Sequence, residues 1–334
     1  MNTVNRQVRL AARPVGLPKQ SDWSFTEEPP REPRDGEVQV RVEYISLDPA
    51  MRGWMNDVKS YVPPVAIGEV MRASAAGSVS ASKHPDFKVG DKVTGPCGVQ
   101  EYATLEGKAL VHVDLEQAPL PVHLGLLGMT GMTAYFGLLD VGQPKPGETV
   151  VVSGAAGAVG MVVGQIAKIK GCRAVGIAGG KAKCEYLVRE LGFDAAIDYK
   201  AGELKSALRE HCPKGVDVYF DNVGGPILDI VLTRLAMRAR IVICGAISQY
   251  NTTIAMQGPA NYMSLLVFRA RMEGMVVFDY AARFPEAKRE MAGWLREGKL
   301  HSREHIVKGI ESFPDALNKL FTGENNGKLM LQVG

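Results

Sequence analysis

The chain has 334 residues, 46% hydrophobic and 22% charged, which is the composition of a globular protein long enough for two domains. Its net charge of +3 is small and dispersed, which argues against a nucleic-acid or membrane partner. The sequence contains no signal peptide, no apolar run that could span a bilayer and no disulfide pattern among its five scattered cysteines, so we expect a cytoplasmic protein.

The first part of the chain, to about residue 125, predicts a barrel-like β unit. Residues 37–47 begin with strict alternation, in which Val38, Val40 and Val42 occupy one face of a half-buried strand. Glycine and proline interrupt the residues that follow, as expected of short strands joined by tight turns.

From residue 122 the pattern changes to strands that alternate with helices. Residues 122–139 predict one or two buried helices. The predicted strands are 149–153, 173–177, 195–197, 216–221, 240–245 and 273–278. The predicted helices between them are 158–170, 181–191, 203–211 and 226–236. This alternation predicts an α/β domain with a doubly wound parallel sheet covered by helices on both faces.

The end of the chain is expected to return to the N-terminal β unit. An amphipathic helix is predicted at 284–300, followed by a strand, a helix and a strand. Because this tail begins after the sixth strand should complete the parallel sheet, we expect two domains, 1–125 completed by 300–334, and 126–299.

The stretch GAAGAVG, residues 154–160, joins the first predicted strand of the parallel sheet to its helix. Gly157 and Gly160 match the last two glycines of the G-x-G-x-x-G fingerprint, and Ala155 replaces the first. Such a turn lets a pyrophosphate approach backbone N–H groups at a helix N-terminus. Tight helix–sheet packing alone and a methyltransferase-type α/β domain are the alternatives, and we favour dinucleotide binding.

The residues after the second strand distinguish NADP(H) from NAD(H). NAD-binding folds place a carboxylate there to hold the ribose 2′-hydroxyl. This chain has Ala178, Gly179 and Gly180, followed by Lys181 and Lys183. With two lysines and no carboxylate, we predict NADP(H), with Lys183 on the 2′-phosphate. The alternative is an ordinary solvated helix start.

Several segments together resemble a known family. YISLDPAMRG at 44–53, VDVYFDNVGG at 216–225, CGAISQYN at 244–251 and GENNGK at 323–328 are similar to the zinc-free medium-chain dehydrogenase/reductase superfamily. The similarity is closest to its NADPH-dependent branch of alkenal double-bond reductases, which includes prostaglandin/leukotriene reductases and curcumin reductases. It covers the chain from about residue 37 to the C-terminus.

The resemblance implies a GroES-like β domain that carries the substrate and a Rossmann domain that carries NADP(H), with the active site in the cleft between them. It implies that Gly157 to Gly160 hold the pyrophosphate, Lys183 the 2′-phosphate and Tyr199 the adenosine end, and that the remaining residues hold the ribose and nicotinamide. The cofactor-binding residues implied by position are Ala156, Gly157, Ala158, Val159, Gly160, Lys183, Tyr199, Asn222, Cys244, Gly245, Ala246, Ile247, Ser248, Tyr250, Met275, Val276, Val277 and Asn325. One departure is Ala50, which replaces the family's usual aromatic residue and implies a differently shaped substrate pocket.

No metal site is expected. The segments that carry zinc ligands in zinc-dependent relatives have neither cysteine nor histidine here, and Cys97 is the only cysteine between residues 80 and 125. The six histidines are spread along the sequence.

Without zinc, the resemblance implies reduction of the double bond of an α,β-unsaturated ketone or aldehyde, with hydride transfer to the β carbon and an enolate as the product of that step. A tyrosine is the side chain best suited to donate to the enolate oxygen. The candidates are Tyr250, Tyr44 and Tyr262, with Tyr250 preferred because it closes the matched cofactor loop; for each, packing is the alternative role. Asp48 and Arg52 are expected to pair with each other.

Two other functions remain open: an NADPH-dependent quinone oxidoreductase, whose substrate is also a conjugated carbonyl, and an NADPH-binding relative without turnover. We also expect a homodimer, because the predicted sixth strand, 273–278, would otherwise be an exposed apolar edge.

Overall fold

The computed structural model describes residues 4–334, which form two compact units. The β unit consists of the chain up to Gly125 together with Glu304–Gly334, and the α/β unit consists of Leu126–Arg303. The β unit is therefore built from two separate stretches of chain, with the whole α/β unit inserted between them.

Both units contain strands and α-helices. The strands are Asn5–Leu10 (β1), Trp23–Glu28 (β2), Glu37–Ser46 (β3), Ala75–Ser82 (β4), Lys92–Gly95 (β5), Tyr102–Glu106 (β6), Val111–His112 (β7), Thr149–Ser153 (β8), Arg173–Ala178 (β9), Ala195–Asp198 (β10), Val216–Asp221 (β11), Leu235–Ile243 (β12), Arg271–Gly274 (β13), Glu304–Lys308 (β14) and Lys328–Gln332 (β15). The α-helices are Ala50–Trp54 (α1), Met129–Phe136 (α2), Ala158–Ile169 (α3), Lys181–Arg189 (α4), Leu204–His211 (α5), Gly225–Leu232 (α6), Ser264–Phe268 (α7), Phe284–Arg296 (α8) and Phe313–Thr322 (α9). Within residues 4–334, none of the helices combines the length and the apolar character that crossing a membrane requires.

The α/β unit contains a six-stranded sheet in the order β10-β9-β8-β11-β12-β13. All neighbouring strands are parallel, and α3 to α6 connect successive strands from β8 to β12. This confirms the predicted doubly wound sheet, and the order is that of Rossmann folds. The strand order reverses between β8 and β11, which is where such sheets bind ligands, at the carboxyl ends of the strands.

The strands of this sheet are apolar on both faces. Val150, Val151 and Val152 in β8 are fully buried, as expected of a parallel strand covered by helices on either side. The predicted buried helix at 122–139 appears as α2, which continues without a break into a π-helical stretch, Gly137–Gly142.

The β unit has a seven-stranded sheet in the order β14-β15-β3-β4-β5-β7, with β6 also paired to β3. Its central strand β3 buries Val38, Val40 and Val42 completely, which confirms the alternation seen in the sequence. Strand β15 pairs with β3 in antiparallel register, Met330 opposite Ser46, so the C-terminal segment completes this sheet. The arrangement is GroES-like.

Three predicted boundaries are wrong. The sixth strand of the parallel sheet is Arg271–Gly274 instead of 273–278, because the backbone turns into a 3-10 stretch at Val277. Strand β12 begins at Leu235 rather than at residue 240, so the helix before it ends at Leu232. A shift in the pairing register with β11 and a positive φ of 61° at Arg238 interrupt the alternation in β12 and hid its first half from the sequence pattern.

Candidate functional site: a nucleotide cradle at the carboxyl edge of the parallel sheet

The glycine-rich stretch forms the turn between β8 and α3. Gly154 follows the strand with a φ of +60°, a conformation that favours glycine. The next residue, Ala155, is fully buried, and its N–H donates to the carbonyl of Ile177 in β9 at 3.0 Å. In G-x-G-x-x-G turns the first glycine makes the tight turn. Here that position is Ala155, and Gly154 makes the turn one residue earlier.

Gly157 and Gly160 serve different purposes in this turn. A Cβ at Gly160 would lie 2.4 Å from the carbonyl oxygen of Gly154 and 2.8 Å from the Cα of Ala155, so only glycine lets α3 pack on the turn. A Cβ at Gly157, the N-cap of α3, would meet only the Gly154 oxygen, at 3.1 Å, among the residues described. Packing therefore explains Gly160, whereas Gly157 leaves the helix N-terminus open to a ligand.

Two lysines and a tyrosine lie together beyond the ends of β9 and β10. A Cβ at Gly179 would lie 3.0 Å from Cε of Lys200 and 3.1 Å from the hydroxyl of Tyr199, so both side chains lie against this turn. Burial lowers the pKa of Lys183, and the charge of Lys200 lowers it further. The two ammonium groups are therefore close enough to repel each other. An anion at this cationic pocket would offset the repulsion between the two lysines.

Asp198, which directly precedes Tyr199, forms its hydrogen bonds with the backbone. Oδ1 of Asp198 accepts hydrogen bonds from the N–H groups of Gly180, at 2.8 Å, and Lys200, at 3.0 Å. Lys181 instead lies at the surface, 3.9 Å from Glu185. Of the two lysines singled out in the sequence, Lys183 is the one whose pKa the charge of Lys200 lowers, and its contact with a 2′-phosphate stays a prediction.

The loops after β11 and β12 pack on each other. Asn222 donates through Nδ2 to the carbonyl of Ser153 at the end of β8, at 2.8 Å. The N–H of Ile247 donates to the carbonyl of Asn222, and the hydroxyl of Ser248 donates to the carbonyl of Val223 at 2.6 Å. The predicted nicotinamide loop, residues 244–250, therefore lies beside Asn222 at the strand-order reversal.

Cys244 begins this loop as a thiol. Burial, with a smaller contribution from the charge of Asp221, raises its pKa to about 12, so the side chain stays protonated at neutral pH.

Tyr250 folds back over the same loop. Its hydroxyl oxygen accepts a hydrogen bond from the N–H of Ala246 at 3.2 Å. A Cβ at Gly245 would lie 2.8 Å from that hydroxyl, so a larger residue there would displace the Tyr250 side chain. The preferred catalytic tyrosine is therefore anchored to the loop, whereas Tyr262 lies just before α7 with 59% of its surface exposed.

Met275, Val276 and Val277 continue from β13 next to β12. The N–H of Met275 donates to the carbonyl of Ile243, the last residue of β12, at 3.2 Å. These residues belong to the same carboxyl edge as the 244–250 loop, although they are not a strand as the sequence predicted.

Tyr44 and Asn325 belong to the β unit. Tyr44 is half-buried against a small apolar cluster that includes Leu124 and Met330. Asn325 donates through Nδ2 to the carbonyl of Gly327 at 3.1 Å. Their roles in catalysis and cofactor binding stay predictions. Ala50, the departure from the family pattern, is the first residue of α1.

The expected pairing of Asp48 with Arg52 is wrong. Asp48 accepts a hydrogen bond from the fully buried ammonium of Lys328 at 2.6 Å, and the same ammonium donates to the carbonyl of Leu47 at 3.0 Å. Arg52 instead donates to the carbonyls of Pro14 and Gly16. An amine buried to 1% exposure requires a carboxylate partner, and Asp48 is the one within reach.

Three residues were not among those predicted from the sequence: Lys200, Asp221 and Lys328. Lys200 directly follows the chosen Tyr199, Asp221 directly precedes the chosen Asn222, and Lys328 lies three residues after the chosen Asn325. The signal was a charged residue at the end of an apolar strand or at the start of one, where a buried charge has a structural or binding purpose.

No group of three or more histidine, cysteine, aspartate or glutamate side chains in residues 4–334 is arranged to hold a metal ion. The predicted absence of a metal stays a prediction.

Comparison with known proteins identifies the family. The model described as the N-terminal domain of oxidoreductase matches residues 6–113, and the model described as zinc-binding dehydrogenase matches residues 158–293. The NADPH-dependent curcumin reductase of Escherichia coli is 45% identical, over 98% of this chain and 97% of that protein. The NADP(+)-dependent 2-alkenal reductase of Nicotiana tabacum is 41% identical, over 98% and 97%.

A solved structure agrees with these relatives. The crystal structure of CurA from Vibrio vulnificus in complex with NADPH is 46% identical and superposes with a TM-score of 0.93, over 98% of this chain and 99% of that one. Fold, turn geometry and nearly full-length similarity thus lead to one conclusion: the chain belongs to the medium-chain dehydrogenase/reductase superfamily, in the branch that contains the NADPH-dependent curcumin and alkenal reductases.

Proposed function

We propose that this protein uses NADPH to reduce the carbon–carbon double bond of α,β-unsaturated ketones or aldehydes. The observation that carries the proposal is the cradle at the carboxyl edge of the parallel sheet, in a chain that matches curcumin and alkenal reductases over nearly its whole length. The cradle combines an open helix N-terminus at Gly157 with a cationic pocket at Lys183, Tyr199 and Lys200.

These residues fit the three parts of the cofactor. The N–H groups at the start of α3 receive the pyrophosphate, because a Cβ there would meet little and the helix dipole favours an anion. Lys183, Tyr199 and Lys200 receive the 2′-phosphate. Asn222, the loop 244–250 and the segment 275–277 line the ribose and nicotinamide, at the reversal of strand order.

When bound, NADPH supplies the hydride that goes to the β carbon of the conjugated carbonyl. Tyr250 donates a hydrogen bond to the carbonyl oxygen, where negative charge develops during the reaction. A phenol suits this role because it ordinarily stays protonated at neutral pH. Water supplies the proton that the α carbon gains, and Tyr44 and Tyr262 are the other candidate donors.

The test is oxidation of NADPH, followed by its absorbance, with an enal, an enone, a quinone and a saturated aldehyde, and with NADH as the control. We expect turnover on the enal or the enone with NADPH. Turnover on the quinone alone would replace the proposal with a quinone oxidoreductase. If NADPH binds but no substrate of the panel is turned over, the protein binds the cofactor without having this activity.

We further propose that the protein is a homodimer. The edge strand β13 is not the exposed apolar edge that the sequence predicted, because Arg271 and Glu273 are exposed on it. Support comes instead from large apolar side chains that are exposed in the segment before β13 and just after it. They are Ile254, Met256, Tyr262, Met263, Leu266, Val267 and Phe278, here called the apolar face, with exposed fractions between 44% and 70%.

A cytoplasmic location is proposed on the state of the cysteines. All five are free thiols, which suits a reducing compartment. Fractionation of cells that express the protein tests this, and recovery with the membrane or secreted fraction would reject it.

A further inference from the structure

A single buried carboxylate lies at the centre of the cradle. Asp221, the last residue of β11, has 1% of its surface exposed. Its Oδ1 accepts four hydrogen bonds, from the hydroxyls of Ser153 and Tyr219, both at 2.9 Å, and from the N–H groups of Val223, at 3.0 Å, and Gly224, at 2.9 Å. Its Oδ2 is buried without a hydrogen-bond partner among residues 4–334.

Four donors on one oxygen are better satisfied by a charged carboxylate than by a neutral group. A neutral carbonyl has two lone pairs, whereas a carboxylate attracts every donor around it and forms hydrogen bonds roughly twice as strong. Burying a carboxylate is costly unless such donors surround it. Aspartate at this position is therefore explained by the donors that converge on it.

These bonds connect the ends of three adjacent strands. Ser153 ends β8, and its hydroxyl, while donating to Asp221, accepts the N–H of Asn222 at 3.0 Å. The main-chain carbonyl of Asp221 accepts the N–H groups of Cys244, at 3.0 Å, and Gly245, at 3.1 Å, which begin the loop after β12. One residue thus sets the relative positions of the glycine turn, Asn222 and the 244–250 loop.

The cationic pocket is held by a separate set of bonds. Lys183, Tyr199 and Lys200 follow β9 and β10, and the turn beside them is fastened by Asp198. None of the hydrogen bonds described for Asp221 involves a residue of that pocket. The two halves of the cradle therefore have different anchors.

We infer that Asp221 is the positioning residue for the nicotinamide half of the cradle, and that it does not influence the half that receives the 2′-phosphate. The inference rests on the proposed cofactor site. It assigns Asp221 no contact with substrate or cofactor: it acts through Asn222 and the loop 244–250.

The experiment compares two ligands on the variant Asp221→Asn, which keeps the side-chain shape and removes its charge. NADPH reports on the whole cradle, and adenosine 2′,5′-bisphosphate reports on the adenosine half alone. We expect the Kd for NADPH to rise about tenfold, the loss of one charge-assisted hydrogen bond, while the Kd for adenosine 2′,5′-bisphosphate stays unchanged. An unchanged second Kd also shows that the variant is folded.

Two further variants keep the inference testable if Asp221→Asn fails to fold. Ser153→Ala removes the hydroxyl that links Asp221 to Asn222, and should raise the NADPH Kd selectively. Tyr219→Phe removes a donor to the same oxygen that comes from within β11 and not from one of the loops, and should leave the ratio of the two Kd values unchanged.

Three results would overturn the inference: an equal rise in both Kd values, no rise in either for Asp221→Asn and Ser153→Ala, or a selective rise for Tyr219→Phe. If the unaltered protein binds neither ligand, the proposed function itself fails and the inference falls with it. That outcome is distinct from the other three, since it requires no variant.

Discussion

The side chains that we propose select the cofactor follow two neighbouring strands, β9 and β10. An NAD-specific site would place a carboxylate after β9, and here that position is Gly179, against which Tyr199 and Lys200 lie. The nearby Asp198 holds backbone N–H groups instead of a ribose. Under the proposed function, specificity for NADPH rests on two cations, Lys183 and Lys200, of which only Lys183 was apparent from its place in the sequence.

Lys183→Glu should reverse the preference for NADPH over NADH. Removing a cation from a phosphate and adding a like charge costs more than one charge-assisted hydrogen bond, so the ratio of kcat/KM values should fall about 100-fold or more. Steady-state kinetics with both cofactors measure the ratio. Lys181→Glu is the matched control, since Lys181 stands on the same helix with 88% of its side chain exposed, and should leave the ratio unchanged. An unchanged ratio in Lys183→Glu would reject the assignment.

Tyr250→Phe should lower kcat about 100-fold with an enone, the usual effect of removing one donor to a developing oxyanion. Because the hydroxyl also accepts the N–H of Ala246, the Kd for NADPH must be measured as well. A weaker NADPH Kd with an unchanged kcat would mean that Tyr250 supports the loop without donating to substrate. Tyr102→Phe, in β6 of the β unit, controls for the loss of a tyrosine hydroxyl elsewhere.

At the level of elements, the junction of β8 and α3 was read correctly from the sequence because two strong signals coincide there. A continuous apolar run gives the buried strand, and small residues give the turn. The end of the sheet was read less well. The bulge at Arg238 breaks the pattern of β12, and in EGMVVF the apolar Met275, Val276 and Val277 lie beyond the strand, in the segment that enters a 3-10 turn.

The candidate site shows the same limit. Residues whose partners are close in sequence, such as those of the glycine turn, could be chosen by pattern. Asp221 and Lys328 could not, because each has a partner far along the chain: Ser153, beside the local donors of Asp221, and Asp48 for Lys328. Only the fold brings such pairs together, and a single sequence contains no direct signal of them.

Gly157→Ala and Gly160→Ala should separate cofactor access from packing. Gly160→Ala places a Cβ 2.4 Å from a backbone oxygen, so it should lower the free energy of unfolding by about 3 kcal/mol, the upper part of the usual range for overpacking. Gly157→Ala meets that oxygen at 3.1 Å and should cost about 1 kcal/mol or less, as Ala for Gly at an N-cap.

Denaturant unfolding and NADPH titration measure the two effects. Gly157→Ala should weaken NADPH binding by about tenfold, since its methyl group lies where the pyrophosphate approaches. Normal NADPH affinity in Gly157→Ala would show that the small residues serve packing alone, which was the alternative interpretation of this stretch.

At the scale of the whole chain, the two family models divide between the two units, residues 6–113 in the β unit and residues 158–293 in the α/β unit. The resemblance is thus a property of both units and not of the nucleotide fold alone. The largest exposed apolar side chains of the α/β unit are less evenly distributed, since most lie between Ile254 and Phe278. Contiguous exposed apolar surface is typical of interaction sites, and the proposed dimer would cover these side chains.

If a second copy covers this apolar face, a charge at its centre should separate the two copies. Val267→Glu places a carboxylate at a position that is 59% exposed in the single chain, and burying it in an interface should raise the dimer Kd at least about 100-fold. Light scattering on a sizing column should give the unaltered protein a mass of twice the single chain, which is 36.1 kDa. The Val267→Glu variant should have the mass of a single chain. Val89→Glu, at a valine 69% exposed in the β unit, makes the same change away from the apolar face and should remain dimeric. A monomeric unaltered protein would reject the dimer, and a dimeric Val267→Glu would move the interface to another surface.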